Sequence, residues 1–312
     1  METTDNAANE PYALGVNIGG AHITAAVVDM ETENLLPGTM ESAPVDAQGP
    51  AAEILQSWYD LIEKVRAKSP VPLNSLGMAL PGPFNYQEGV SLIRHMKKYD
   101  SLFGLNIKEY LAEKLRIDKD NIRLRNNAEA FLAGEMIHGA ARSYKDVIGV
   151  ALGAGLGSAR SRNGLAEDVN RGSSLFPEGI AEDYLSSRWF LRRYHELSGE
   201  EVRSVNELLD KGEDHKVVHQ MLVEFSNNLA FFLGGFIQAE KPQAVIIGGT
   251  NIRLYDLVYP LLSKLLERHL ERVEIRKAML GEGAVVIGAV SYWIKLNRLR
   301  TGRQPRHTPR EG

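Results

Sequence analysis

Cysteine is absent from this 312-residue chain. That absence excludes disulfides, thiolate nucleophiles, iron–sulfur clusters and any Cys-ligated zinc site. It makes the reducing cytoplasm the expected location. Aromatic residues are scarce at 7%, and no stretch approaches the ~18 consecutive apolar residues of a membrane span. The opening residues, METTDNAANEP, have neither the basic region nor the apolar core of an export signal, so no membrane partner is expected. Neither sign of charge dominates: 36 Lys plus Arg face 40 Asp plus Glu, a formal net charge of -4. No nucleic acid partner is expected from that balance. What is present, 44% apolar and 24% charged residues, is the composition of a soluble globular protein. The length favours two domains over one.

Two segments share a plan. Residues 12–29, YALGVNIGGAHITAAVVD, read as an apolar strand, a Gly-Gly turn and a strand of small and β-branched residues, and residues 147–160, VIGVALGAGLGSAR, repeat that order. Behind the first hairpin, residues 51–67 and 107–115 have helical spacing. Residues 76–80 form a strand closed by Pro81-Gly82-Pro83, and 122–124 lead through Asn126-Asn127 into a helix over 128–138. Behind the second, helices are predicted over 179–194, 217–239, 254–269 and 284–296, and a strand over 244–247 is closed by Gly248-Gly249. This alternation predicts an α/β sheet in each half, a duplicated architecture with its ligand in a cleft between the halves. The expected division is a disordered leader over 1–10, a first domain over 11–125 completed by a C-terminal helix over 284–297, a second domain over 126–283, and a disordered basic tail over 298–312.

Three glycine turns follow apolar strands: Gly19-Gly20, Gly153-Ala154-Gly155-Leu156-Gly157, and Gly248-Gly249-Thr250-Asn251. Glycine lets a backbone approach a ligand and aim amide N–H groups at phosphate oxygens. Neither a P-loop nor a dinucleotide fingerprint is present. With PGP at 81–83 and the Asn-x-Ala-x-Ala-like helix entry at Asn126, the ordered set resembles the ROK family of bacterial sugar kinases and their repressor relatives, over nearly the whole chain. The resemblance implies a duplicated actin-like, hexokinase-type two-domain α/β fold, a sugar and Mg-ATP as ligands, and a homodimer. In that reading Gly19, Gly20, Gly153, Gly155, Gly157, Gly248, Gly249 and Thr250 surround the nucleotide, while Gly82, Asn126, Asn127, Glu167 and Glu182 surround the sugar.

The chain departs from the family at its chemical positions. Asn17 stands where the family has an aspartate linked to Mg²⁺ through water, so no metal ligand is assigned here. Asn127 stands where it has the catalytic aspartate, and Ala21 and Ala154 replace hydroxyl residues. A carboxylate at 127 takes the proton of the attacking sugar hydroxyl; an amide cannot. The family's zinc loop is missing with its cysteines. Two readings stand open: an ATP-dependent hexose or N-acylhexosamine kinase impaired at Asn127, and an inactive pseudokinase that senses sugar or nucleotide. Simpler roles remain open for single residues. Asn126 and Asn127 suit a helix N-cap, Glu182 suits a helix first turn, His22 is either a phosphate contact or a strand-end residue, and Arg160 and Arg162 are expected in solvent. Trp189, Phe190 and Tyr194, at helical spacing, are expected in the core or at a subunit contact.

Overall fold

The computed structural model describes residues 10–212, 215–270 and 272–303. These divide into two compact units, with cuts after Arg142 and after Gly281, and the chain beyond Gly281 returns to the first unit.

Unit 1 opens on the antiparallel hairpin of β1 (Tyr12–Ile18) and β2 (His22–Asp29), and the short β3 (Asn34–Leu35) and β4 (Glu41–Pro44) both pair with β2. Helix α1 (Ala51–Arg66) buries Ile54, Leu55, Trp58, Leu61, Ile62 and Val65, the three-and-four spacing of one helical face. Then come β5 (Leu76–Leu80), a ribbon of β6 (Phe84–Asn85) and β7 (Val90–Ser91), α2 (Ile107–Leu115), β8 (Ile122–Asn126) and α3 (Asn127–His138). The sheet order is β3-β2-β1-β5-β8, with β1, β5 and β8 parallel. Six of the seven residues of β1 and all five of β5 are buried, as expected of parallel strands covered on both faces.

Unit 2 repeats the plan with β9 (Val147–Leu152), β10 (Leu156–Arg162) and β11 (Leu165–Asp168), followed by a ribbon of β12 (Leu175–Phe176) and β13 (Gly179–Ile180). Helices α4 (Ser187–Ser198), α5 (Val205–Leu209) and α6 (Lys216–Glu240) lead to β14 (Ala244–Gly248), α7 (Arg253–Leu265), α8 (Glu267–Leu270) and β15 (Glu274–Lys277). The order is β11-β10-β9-β14-β15, with β9, β14 and β15 parallel. Trp189, Phe190 and Tyr194 lie in the core of this unit, at 4% exposure or less. The chain then returns to unit 1 as α9 (Glu282–Ala289) and α10 (Ser291–Thr301).

Several expectations need correction. The first division falls after Arg142, not Arg125, because α3 is locked to α9 by backbone contact. A Cβ on Gly134 would lie 1.9 Å from the Ala284 carbonyl oxygen, and one on Gly288 1.7 Å from that of Ala130. The single helix expected over 284–297 is two helices broken at Val290. The expected helix over 179–194 starts only at Ser187: Gly179 has φ +110°, and Asp183 Oδ2 turns back to accept the Ile180 N–H at 3.0 Å, which closes a 3₁₀ turn instead. Glu10 is not leader, since it accepts from the backbone of Asn74 and Ser75. Residues 298–303 are not tail either: Arg298 pairs with Glu33, and Arg303 with Glu31 at 2.7 Å. The rest of the expected leader and tail, 1–9 and 304–312, lies outside the described residues.

Candidate active site

In an open parallel sheet, ligands bind beyond the carboxyl ends of the strands. In unit 1 that edge is where β1, β5 and β8 end, at Ile18, Leu80 and Asn126, so the parallel register gathers Gly19-Gly20, Gly82 and Asn126-Asn127 from three distant segments. The Gly19 N–H donates to the His22 carbonyl at 2.8 Å, and the Tyr99 hydroxyl donates to the Gly19 carbonyl at 2.6 Å. Tyr99 is fully buried, and burial pushes its phenol well above the usual range, so it keeps the proton this bond needs. Nothing stands within 4 Å of a Cβ built on Gly20, so the turn has open space beside it.

Asn126 is both cap and site residue. Its Oδ1 accepts the Ala128 N–H at 2.7 Å, and its Nδ2 donates to the Tyr86 hydroxyl at 3.2 Å, which in turn donates to the Leu80 carbonyl at 3.2 Å. A Cβ on Gly82 would fall 3.2 Å from that hydroxyl and 3.7 Å from Asn126 Nδ2, so glycine keeps the approach to Asn126 clear. Asn127 does not cap. Its Nδ2 donates to the Ile18 carbonyl at 2.8 Å, while its Oδ1 is buried with no partner among the described residues. Asn17, on the last turn-ward stretch of β1, is 9% exposed and makes no side-chain hydrogen bond among the described residues. Buried polar groups normally have partners, so both amides are candidates to contact a ligand.

Unit 2 builds a matching edge from β9 and β14. The Gly153 carbonyl accepts from Ser187 N–H at 2.8 Å and Ser187 Oγ at 2.9 Å; Asn251 Nδ2 donates to Ser187 Oγ at 2.8 Å, and the Asn251 N–H to the Leu152 carbonyl at 3.0 Å. The two glycine turns of this unit thus share one network. Gly249 has φ +99°, and a Cβ there would meet the Leu152 carbonyl oxygen at 2.4 Å, so only glycine closes this turn without strain. Thr250 Oγ1 lies 3.1 Å from a Cβ built on Gly153. Gly157 and Gly248 are already strand residues, both opposite Ala151.

Glu182 lies against the second turn. Its Oε2 accepts the Leu156 N–H at 3.0 Å and would be 2.5 Å from a Cβ on Gly155; its Oε1 is held by Arg188. Glu167 is elsewhere. It pairs with Arg160 across the β10–β11 ladder, four residues along β10 from Leu156, which is about 13 Å of strand. Its carboxylate is taken by Arg160 at 2.6 Å. Arg160 and Arg162, expected in solvent, both bind Glu240, at 3.1 and 2.8 Å. Tyr86, Tyr99, Ser187 and Arg188 were missed from the sequence because they carry no motif and sit in loops or a helix entry.

Two hairpin-led α/β units, each with glycine turns at the carboxyl ends of its parallel strands, constitute the duplicated hexokinase-type, actin-like fold. The chain belongs to the ROK family, whose model matches residues 13–173. It is similar to the N-acetyl-D-glucosamine kinase of Mannheimia succiniciproducens, 26% identical over 315 residues covering 90% of this chain and 98% of that one. In structure it is similar to the ROK hexokinase from Thermus thermophilus, with a TM-score of 0.74 at 20% identity over 94% of this chain and 100% of that one. It is similar as well to a ROK family glucokinase from Streptomyces griseus in complex with glucose and AMPPNP, with a TM-score of 0.74 at 19% identity over 90% and 98% of the two chains. Among the described residues no helix is long and apolar enough to cross a membrane.

Proposed function

We propose that this protein is an ATP-dependent kinase of a hexose or N-acylhexosamine, acting in the cytoplasm as a homodimer, with turnover held down by Asn127. The observation that carries this reading is the convergence of Gly19-Gly20, Gly82, Asn126 and Asn127 at one sheet edge, where Asn127 Oδ1 has no partner among the described residues. The relative named as an N-acetyl-D-glucosamine kinase, aligned over 98% of its length, supports the N-acylhexosamine class. The uncovered side chains of Leu175 and Phe231, 87% and 66% exposed, support a second copy.

In each unit the turn amides, at Gly19-Gly20 and at Gly153–Gly157, can bind and orient phosphate oxygens, a task of positioning and charge stabilisation that needs no covalent chemistry from the protein. Mg²⁺ bound with the nucleotide would neutralise charge on the phosphates. In unit 1 Asn126 and Asn127 take sugar hydroxyls, and in unit 2 the Arg188-braced carboxylate of Glu182 is the candidate for the same task. Asn127 can hold the attacking hydroxyl through its amide but has no site for the proton. General-base help contributes about 10²–10⁴-fold, and the reaction proceeds without it.

The test is ADP formation from Mg-ATP across a panel of hexoses and N-acylhexosamines. Sugar-dependent ADP is the expected result. No ADP with any sugar, together with saturable sugar binding by calorimetry, replaces it with the second reading, a sugar-sensing pseudokinase. Amides at both position 17 and position 127 are the observation that favours that reading.

A further inference from the structure

Asn17 and Thr24 are directly opposed across the β1–β2 hairpin, so their side chains project from the same face of the sheet. Helix α9 covers that face: a Cβ on Gly15, two residues before Asn17, would lie 2.4 Å from the Val286 carbonyl oxygen. The first residue of α9 is Glu282. Thr24 Oγ1 donates to its Oε2 at 3.1 Å, and His22 Nε2 lies 3.3 Å from its Oε1. His22 also frames the glycine turn, for its carbonyl accepts the Gly19 N–H and its ring Cε1 stands 3.3 Å from a Cβ built on Gly19. A half-exposed carboxylate therefore stands at the first glycine turn, bonded to Thr24, the residue opposite Asn17 in the hairpin; Asn17 is 9% exposed and has no side-chain hydrogen bond among the described residues.

A carboxylate next to a turn that receives phosphates repels them unless a cation lies between. A first-turn glutamate complements its helix dipole. That role does not call for Thr24 and His22, from a strand 258 residues away in sequence for Thr24, to converge on it. Divalent magnesium keeps several waters and is held by one or two carboxylates plus phosphates. The corner offers one carboxylate, one amide oxygen and one hydroxyl.

Resting on the kinase reading, we infer that Glu282 is the positioning residue for the divalent cation of the Mg-nucleotide. It supplies through metal-bound water the charge that position 17 lacks, with Asn17 and Thr24 completing the polar lining.

The test measures Mn²⁺ binding by electron paramagnetic resonance, on the full chain with and without ADP, for the unmodified protein, Glu282→Gln, Asn17→Asp, and the two substitutions together. Glu282→Gln is expected to weaken Mn²⁺ binding in the ADP complex about 10-fold or more, the size of effect that supporting residues have on metal affinity, and to tighten metal-free ADP binding, because the repelling charge is gone. Asn17→Asp is expected to tighten Mn²⁺ binding alone and to restore it in the Glu282→Gln background. Asn17→Asp keeps every Glu282 contact, so it remains informative if Glu282→Gln fails to fold. If Glu282→Gln binds Mn²⁺ with ADP as the unmodified chain does, or if its loss is not recovered by Asn17→Asp, Glu282 serves only to brace His22 and the inference is overturned. An unmodified chain that binds ADP neither with nor without Mn²⁺ overturns the kinase reading and this inference together. Normal ADP binding with metal affinity indifferent to Glu282 overturns the inference alone.

Discussion

Replacing Asn127 by aspartate sets stability against chemistry at one atom. The Asn127 Nδ2 donates to the Ile18 carbonyl at 2.8 Å, and its Oδ1 is buried without a partner. Asn127→Asp exchanges the donor for an oxygen facing that carbonyl. The lost bond is worth about 1 kcal/mol and the unsatisfied buried acceptor costs roughly 1–3 kcal/mol, so unfolding free energy should fall by about 2–4 kcal/mol near pH 7. At about 2–4 °C per kcal/mol, the melting temperature should drop by roughly 4–16 °C. Burial and the facing carbonyl raise the pKa of the new carboxyl, and the sign of the pH effect follows. The proton is bound more tightly in the folded state, so the penalty is full above the folded pKa and fades as pH falls towards the ordinary Asp range near 4. The protonated carboxyl can then donate to Ile18. Against that cost, a base within reach of the sugar hydroxyl should raise kcat about 10²–10⁴-fold at pH 7–8. Differential scanning fluorimetry at pH 4.5 and 7.5, with coupled ADP release under a saturating sugar, measures both sides. An unchanged melting temperature at both pH values refutes the hydrogen-bond geometry; an unchanged rate with sugar and ATP still bound refutes the assignment of position 127 as the missing base.

Two further outcomes test the scaffold. Gly288→Ala places a methyl group 1.7 Å from the Ala130 carbonyl oxygen, a clash with backbone that no rotamer relieves, so α3 and α9 must separate. Urea denaturation should show a loss of about 3 kcal/mol or more, and a loss under about 1 kcal/mol contradicts the close crossing. Glu240, 6% exposed in its side chain, feels burial pushing its carboxyl up, but Arg162 and Arg160 outweigh that and hold it below the ordinary 4.5. The folded carboxylate therefore stabilises above pH 4.5, and that contribution disappears as pH falls through the lowered value. Glu240→Gln should cost about 1–3 kcal/mol at pH 7, and the gap to the unmodified chain should narrow below pH 4; a gap that is constant with pH contradicts the ion pairing.

Much of the frame was legible because it rests on local signals. The alternation and glycine punctuation of 12–29 and 147–160 announce two hairpins, and they form at β1–β2 and β9–β10. Long-period helices were equally plain, as in 217–239 against the observed Lys216–Glu240. Reading failed where a side chain or a glycine overrides the period. Asp183 folds back on Ile180 and delays α4 to Ser187.

Residue types and short-range order along the chain are enough to specify strands, turns and the chemistry each motif can offer: amides at 17 and 127 that cannot take a proton are a fact of composition. Which motifs meet is a matter of long-range packing. The helix that begins at Glu282 reaches β2 only because Gly15, Gly77, Gly134 and Gly288 let backbones touch, with carbonyl oxygens 1.7–2.4 Å from where a Cβ would be. Tyr99 reaches Gly19 across 80 residues, and Thr24 reaches Glu282 across 258. No local pattern encodes such pairings, because their free energy comes from burying surfaces that meet only once distant segments of the first unit have packed together.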